Sequence, residues 1–148
     1  DRERMPDLYA MPGNHDWYDG LSAFFALFCR RRIATSGMAG ISRPGRRIAG
    51  RETRQTRSYF ALKLPHNWWL WGTDSQIEGY LDQPQVDFFQ YVASMWMEKG
   101  SSLIVCSGQP SWSYVDRRKP EKAFTTFSYL ERLASIARSP DGQPMEHR

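Results

Sequence analysis

The sequence predicts an α/β fold in which helices flank a mixed β-sheet in layers. Short apolar runs that suit strands alternate with longer segments whose apolar residues recur every three or four positions, as in amphipathic helices. The 148 residues are 41% hydrophobic and 24% charged, which is typical of a globular domain. We expect one domain over residues 1–138 and a polar tail over residues 139–148.

The first predicted elements are a strand and a helix. The apolar run from Leu8 to Met11 stops at Pro12-Gly13, which indicates a buried strand that enters a loop. A helix over residues 21–32 follows, with Asp19 as its N-cap. Its apolar face comprises Leu21, Phe24, Phe25 and Phe28, which share the spacing of one helical stripe.

A basic segment follows this helix. From Arg30 to Arg57 the chain carries nine arginines and one acid, a net charge of +8, against +4 for the whole chain. Within it, residues 35–56 show no apolar period and predict an exposed loop. Such a loop attracts anions, so Arg46 and Arg47 are candidate substrate contacts. The simpler alternative is a solvated loop without a specific partner.

The next predicted unit is a β-hairpin. Side chains alternate over residues 57–64, and an apolar run over residues 68–71 supplies the second strand. The turn contains His66, which we expect to be exposed. Alternation places Trp69 and Trp71 on one face, where core packing is expected. Asp74 follows the second strand, where aspartate is typical of a turn.

The last predicted elements are a helix, a strand and another helix. Asp82 suits an N-cap, and Gln85 lies at the capping-box position of the helix that follows. The continuous apolar character of Leu103 to Cys106 predicts a central strand. Residues 123–138 predict the final helix.

The residues best suited to chemistry are Gly13-Asn14-His15-Asp16, between the first strand and the first helix. Ligands of open α/β sheets bind beyond the carboxyl ends of strands, where this motif is expected to form a loop. Asn14 offers an amide oxygen, His15 an imidazole for proton transfer, and Asp16 a carboxylate that can orient the imidazole. These groups suit an oxygen-coordinated cation. A turn with a capping aspartate is the structural alternative.

The motif resembles the third signature block of the calcineurin-like metallophosphoesterases, and residues 57–62 and 69–74 are similar to the paired strands that follow it in bacterial members. The resemblance implies a two-sheet α/β sandwich with two divalent ions of the manganese, iron or zinc type. It implies that Asn14 ligates a metal, that His15 contacts the phosphoryl group, and that Asp16 holds His15. The implied reaction is hydrolysis of a phosphate mono- or diester by attack of a metal-bound hydroxide on phosphorus.

The sequence also departs from that family. The Asp-x-His and Gly-Asp blocks that precede the motif are absent, as is the closing Gly-His-x-His block. Because the chain starts at Asp1, we expect an internal fragment carrying a partial domain that is inactive alone. After the strand that ends at Cys106 the family places a metal-binding histidine, whereas this chain continues Ser-Gly-Gln-Pro. Trp112, in the loop that follows, is a further candidate substrate contact.

A non-catalytic function is the alternative from a different class. The segment from Arg30 to Arg57 would then bind anions or nucleic acid directly, as basic patches do. The chain has three histidines and two cysteines, too few for a metal site of imidazole or thiolate ligands alone and for a disulfide framework. We expect both cysteines, Cys29 and Cys106, to be inert core residues. No apolar run approaches the roughly 18 residues that span a bilayer.

Overall fold

The computed structural model describes residues 5–29, 45–77 and 81–108 of the chain. Over these residues the fold is α/β, with two small mixed sheets of three strands each and two α-helices. The strands are β1 (Asp7–Leu8), β2 (Arg47–Ile48), β3 (Arg51–Thr53), β4 (Phe60–Leu64), β5 (Trp68–Gly72) and β6 (Ser102–Cys106). The helices are α1 (Ser22–Phe28) and α2 (Gln83–Trp96). The predicted last helix at 123–138, the tail at 139–148 and Trp112 lie outside the described residues.

The first sheet has the strand order β1-β3-β2. β1 runs parallel to β3, and β2 runs antiparallel to β3 with Ile48 opposite Arg51. The prediction of a loop over residues 35–56 is therefore wrong for the part that forms this hairpin. Ala49 and Gly50 have positive φ angles of 45° and 74°, the conformation that a two-residue hairpin turn requires.

β1 is shorter than the strand predicted over Leu8 to Met11. At Ala10 the backbone pairs with a side chain instead of a strand. The Ala10 N–H donates to Gln55 Oε1 at 2.7 Å, and the Ala10 carbonyl accepts from Gln55 Nε2 at 3.0 Å. Gln55 is buried, so water does not compete for these bonds. The strand ends early because an amide side chain satisfies both backbone groups of Ala10.

The second sheet has the strand order β4-β5-β6. The predicted hairpin is confirmed, since β4 pairs antiparallel with β5 and Phe60 lies opposite Gly72. His66 is exposed in the connecting turn, as expected. β6 runs parallel to β5, with Gly72 opposite Cys106. We call the edge marked by Phe60, Gly72 and Cys106 the carboxyl edge, because the carboxyl ends of β5 and β6 meet there.

β6 is not the central strand that its sequence predicted, at least among the described residues. Within that part of the chain β5 lies in the middle of the sheet, and β6 pairs with β5 alone. Leu103 packs against the core, whereas Ile104 is exposed on the other face. The apolar run therefore reflects one buried face and one exposed face rather than burial on both.

The core lies between α2 and one face of the second sheet. Trp69 and Trp71 point into it, as the alternation predicted, and both are buried. The Trp71 ring stacks on the Phe89 ring of α2, with centroids 4.7 Å apart. Each such aromatic side chain contributes on the order of 1.5–3 kcal/mol by leaving water. This packing fixes the position of α2 against one face of the second sheet.

Candidate functional site

The predicted motif forms a short 3-10 helix over Asn14–Asp19, which we call the motif helix. The expected loop is replaced by a helix because Gly13 and Asp16 exchange two hydrogen bonds. The Asp16 N–H donates to the Gly13 carbonyl at 3.2 Å, and the Gly13 N–H donates to Asp16 Oδ2 at 2.8 Å. This closed turn fixes the backbone of Asn14 and His15, which lie between its two ends.

Asp19 joins the motif helix to α1. Its carboxylate accepts hydrogen bonds from the N–H groups of Ser22 and Ala23, both at 3.0 Å. These N–H groups belong to the first turn of α1, where backbone donors lack helical partners. The N-cap residue of α1 is Leu21 rather than Asp19, so the predicted position of the cap is wrong, although the Asp19 carboxylate still pairs with the first N–H groups of the helix.

Asn14 and His15 are both exposed on the motif helix. The His15 ring stacks on the Tyr18 ring, with centroids 5.0 Å apart and planes inclined by 24°. Among the described residues, the Asp16 carboxylate accepts from Gly13 and makes no hydrogen bond with His15. The contact that orients the imidazole in this structure is therefore with Tyr18, and the role implied for Asp16 stays a prediction.

Trp17 anchors the motif helix beside the second sheet. Its Nε1 donates to Asp74 Oδ1 at 2.9 Å. Asp74 follows β5 and is 2% exposed, and the same oxygen also accepts from the Gln76 N–H at 3.1 Å. The prediction that Asp74 forms a turn is confirmed, but this carboxylate does more, since it ties the motif helix to the end of β5.

Gln85 holds Asp74 in place. The Asp74 N–H donates to Gln85 Oε1 at 2.9 Å, and the Asp74 carbonyl accepts from Gln85 Nε2 at 2.8 Å. The N-cap role of Asp82 is confirmed, because its side chain accepts from the Gln85 N–H at 3.1 Å. The capping-box role of Gln85 is wrong, because its buried amide satisfies the turn after β5 rather than the start of α2.

The loops after β5 and β6 lie against the chain that enters the motif. The hydroxyl oxygens of Ser75 and Ser107 are 2.9 Å apart and link the two loops. Gly108 lies so close to Pro12 that a Cβ added to it would sit 3.1 Å from the Pro12 carbonyl oxygen. The motif helix therefore lies at the carboxyl edge, where open α/β sheets bind their ligands.

Asn14 is the residue of the motif that suits a metal ion, because an exposed amide oxygen is a donor that hard divalent cations accept. Among residues 5–29, 45–77 and 81–108, no group of three or more histidine, cysteine, aspartate or glutamate side chains could hold a metal ion together. Ser107 and Gly108 follow β6, so no imidazole lies directly after this strand. The described residues thus provide one candidate metal ligand, Asn14.

The basic segment is exposed where the structure describes it. Arg46, Arg47 and Arg51 lie on the β2–β3 hairpin with exposed side chains. Arg54 differs, because its guanidinium pairs with Asp7 at 2.8 Å and with Glu52 at 3.4 Å. The candidate contacts Arg46 and Arg47 are therefore accessible to an anion, although no contact in the structure joins them to the motif helix.

Cys29 is a half-buried thiol that donates to the Arg57 carbonyl at 3.4 Å. Burial raises the pKa of this thiol from 9.0 to about 11, and a hydrogen bond with Gln55 opposes part of the rise. The thiol is protonated at neutral pH and is a poor nucleophile. Both Cys29 and Cys106 are free and of intermediate burial, so the expectation that they are core residues is wrong.

Comparisons of the chain with protein-family models, with curated proteins and with solved structures found no match. The assignment of function therefore depends on the geometry of the motif helix and its surroundings. In the part of the chain that the structure describes, no helix combines the length and the apolar character needed to cross a membrane.

Three contacts at this site could not be predicted from the sequence. Trp17 and Tyr18 lie within the motif, and their spacing from His15 gives no sign of which one stacks on it and which one anchors the helix. Gln85 has the spacing of a capping box, which hides its contact with Asp74. One signal in the sequence indicates the Gln85 contact, because Gln85 is a polar residue next to the apolar positions of an amphipathic helix. A buried amide needs polar partners, so this position predicts a hydrogen bond with a group packed against the helix.

Proposed function

We propose that this chain provides part of the active site of a metal-dependent hydrolase of phosphate mono- or diesters, similar to the calcineurin-like metallophosphoesterases. The supporting observation is that the motif helix exposes Asn14 and His15 while Trp17 ties it to Asp74 at the carboxyl edge. The two mixed sheets and their helices would then belong to the layered α/β sandwich of that family.

Asn14 would hold one of two divalent ions, of the manganese, iron or zinc type, through its side-chain oxygen. When bound, such ions supply charge that stabilises a phosphoryl group under attack. The amide fits this task because it is exposed at the start of the motif helix, and the remaining ligands would come from outside the described residues. The backbone of Asn14 is preset by the hydrogen bonds between Gly13 and Asp16.

His15 would contact the phosphoryl group and protonate the leaving oxygen. An exposed imidazole can reach a substrate at the carboxyl edge, and stacking on Tyr18 restricts the directions in which its ring can point. A positioned proton donor of this kind contributes roughly 10²- to 10⁴-fold to turnover. The hydrogen bond from Trp17 to Asp74 keeps the whole motif helix, and therefore His15, in register with the ends of β5 and β6.

The test uses a protein that combines this chain with the Asp-x-His and Gly-Asp blocks of the family. His15→Ala should lower turnover of an activated aryl phosphate by about 10²-fold or more. Asn14→Ala should mainly reduce the metal retained after dialysis. His66→Ala is the matched control, because His66 is exposed in the turn at the opposite end of β5 and should leave both quantities unchanged. Normal turnover in His15→Ala would refute the proposal.

The 148-residue chain itself should show no metal-dependent phosphatase activity above background. Its described residues provide one candidate ligand, Asn14, where two cations need several. Robust hydrolysis by the purified chain with added Mn²⁺ would show that it holds a second set of ligands.

Binding of anions or nucleic acid through the basic segment is the second candidate function. The observation in its favour is the exposure of Arg46, Arg47 and Arg51 on the β2–β3 hairpin. Exposed arginines bind phosphates in a manner that weakens steeply with salt. An oligonucleotide that binds tightly and in a salt-dependent manner, with the same affinity in the His15→Ala variant, would favour this second function. Loss of phosphoesterase activity in the same variant would favour the first function.

A further inference from the structure

An open cleft of about 710 Å³ lies between the start of β4 and the first half of α2. Its lining combines a positively charged side chain with several aromatic rings, including Arg57, Tyr59, Phe88 and Tyr91. Tyr91 is 55% exposed, so its ring faces the open space rather than the core. Neither the motif helix nor the proposed metal ligand contributes to this lining.

Arg57 organises the aromatic part of the cleft. Its guanidinium carbon lies 5.6 Å from the centroid of the Tyr59 ring and 5.7 Å from that of the Phe88 ring. The Arg57 Nη1 also donates to the Tyr59 hydroxyl at 3.3 Å. A planar guanidinium held against rings keeps other N–H groups for an anion and presents a flat surface on which another ring can stack.

The charges around the cleft favour an anion at Arg57. Arg54 lines the cleft too, but Asp7 and Glu52 already neutralise its guanidinium. The exposed Asp87 is the acid of the lining, and its carboxylate accepts from the Gln83 amide at 2.7 Å. Among the described residues, no carboxylate forms a salt bridge with Arg57.

The cleft adjoins the same carboxyl edge as the motif helix. Arg57 precedes the start of β4, where Phe60 pairs with Gly72 at that edge. Gln55 joins the two regions, because its Nε2 donates both to the Ala10 carbonyl at 3.0 Å and to the Arg57 carbonyl at 2.8 Å. A ligand in the cleft therefore lies beside the chain that leads into the motif.

We infer that this cleft binds a flat aromatic ring joined to an anionic group, as in a nucleoside monophosphate or an aryl phosphate. The ring stacks against the surface formed by Tyr91, Phe88 and the Arg57 guanidinium, as bases stack on aromatic and arginine side chains. The anion takes the remaining N–H groups of Arg57 in a charge-assisted hydrogen bond. Both parts of the ligand are required, because each meets a different part of the lining.

Calorimetric titration of the 148-residue chain with four probes tests this site. AMP should bind saturably, and adenosine and ribose 5-phosphate, which each lack one part, should bind about tenfold more weakly or worse. Phenyl phosphate distinguishes the two ligand sources: affinity equal to that of AMP indicates an aryl phosphate, and weaker binding indicates a nucleotide. No catalysis is measured, so the result is independent of whether His15 acts on phosphoesters.

Variants locate the binding. Arg57→Gln should weaken AMP about tenfold by removing the charge, and Tyr91→Ala should weaken it as well. Tyr91 is exposed, so its replacement leaves folding intact even if Arg57→Gln does not. Lys99→Gln, which removes an exposed positive charge outside both the cleft and the basic segment, is the matched control. The inference is overturned if AMP does not bind saturably, if ribose 5-phosphate binds as tightly as AMP, or if Lys99→Gln weakens AMP as much as Arg57→Gln.

Discussion

Replacing Gln85 by leucine tests how the carboxyl edge is held together. Gln85 is 1% exposed, and its amide satisfies the Asp74 N–H at 2.9 Å and the Asp74 carbonyl at 2.8 Å. Leucine has a similar volume and no polar atom, so both backbone groups lose their partner while little empty space is created. Each unpaired buried group costs about 1–3 kcal/mol, and the two together predict a loss of about 2–6 kcal/mol. Small domains have about 5–15 kcal/mol of stability, so this loss is large.

The assay is urea unfolding of the 148-residue chain, and the quantity compared is the free energy of unfolding in water. The slope of that free energy against urea concentration should be the same in the variant and the original chain. Gln83→Leu is the matched control on the same helix. Gln83 is exposed, and its side-chain amide donates a hydrogen bond to Asp87 on the solvent-exposed side of the helix. Its replacement should therefore change the free energy of unfolding by no more than about 0.5 kcal/mol. A loss below about 1 kcal/mol in Gln85→Leu, or equal losses in both variants, would refute the role assigned to Gln85.

Three further outcomes are expected. Trp17→Phe removes the donor that anchors the motif helix, and should lower the free energy of unfolding by about 1.5–3 kcal/mol and shift the NMR signals of the motif; unchanged signals would contradict the anchor. The raised pKa of Cys29, about 11 against 9.0, should make its alkylation at pH 8 about a hundredfold slower than that of an ordinary thiol, with a rate that rises until about pH 11; an ordinary rate at pH 8 would contradict the burial. In a protein that combines this chain with the Asp-x-His and Gly-Asp blocks, the proposed function predicts that neutralising Arg46, Arg47 and Arg51 together should raise KM for a polyanionic substrate and flatten its salt dependence; if neither changes, the basic segment has no part in substrate capture.

The elements that the sequence predicted correctly depend on local patterns. The β4–β5 hairpin follows from strict alternation and a short turn, and Trp69 and Trp71 are buried as that alternation requires. Asp82 caps α2 as expected, because an N-cap acts on N–H groups only two or three residues away. The motif lies between β1 and α1, as its place between a predicted strand and a predicted helix indicated, although it forms a 3-10 helix rather than the expected loop.

The elements that the sequence did not predict depend on pairing or on distant contacts. In the β2–β3 hairpin Arg47 lies opposite Glu52 and Arg51 lies opposite Ile48, so its strands do not have the apolar residues expected of a strand. Its turn is Ala49-Gly50 rather than a strong turn signal such as Asn-Gly. The central position of β5 among the described strands depends on how the strands pair, and the local pattern of β6 does not show this. The shortening of β1 follows from Gln55, which is 45 positions away from Ala10 along the chain and leaves no mark on the local pattern.

Two glutamines solve the same structural problem on either side of the motif. A chain that leaves a sheet exposes backbone groups that must still be paired when they are buried. Gln55 pairs with the backbone N–H and carbonyl of Ala10, just before the motif. Gln85 pairs with the backbone N–H and carbonyl of Asp74, whose carboxylate accepts a hydrogen bond from Trp17 in the motif helix. A side-chain amide can do this because it carries N–H donors and a carbonyl acceptor side by side, so that it pairs with the N–H and the carbonyl of one residue as a neighbouring strand would. The motif helix is thereby fixed without being part of a sheet, and this is why Asn14 and His15 can be held in position and still be exposed to solvent.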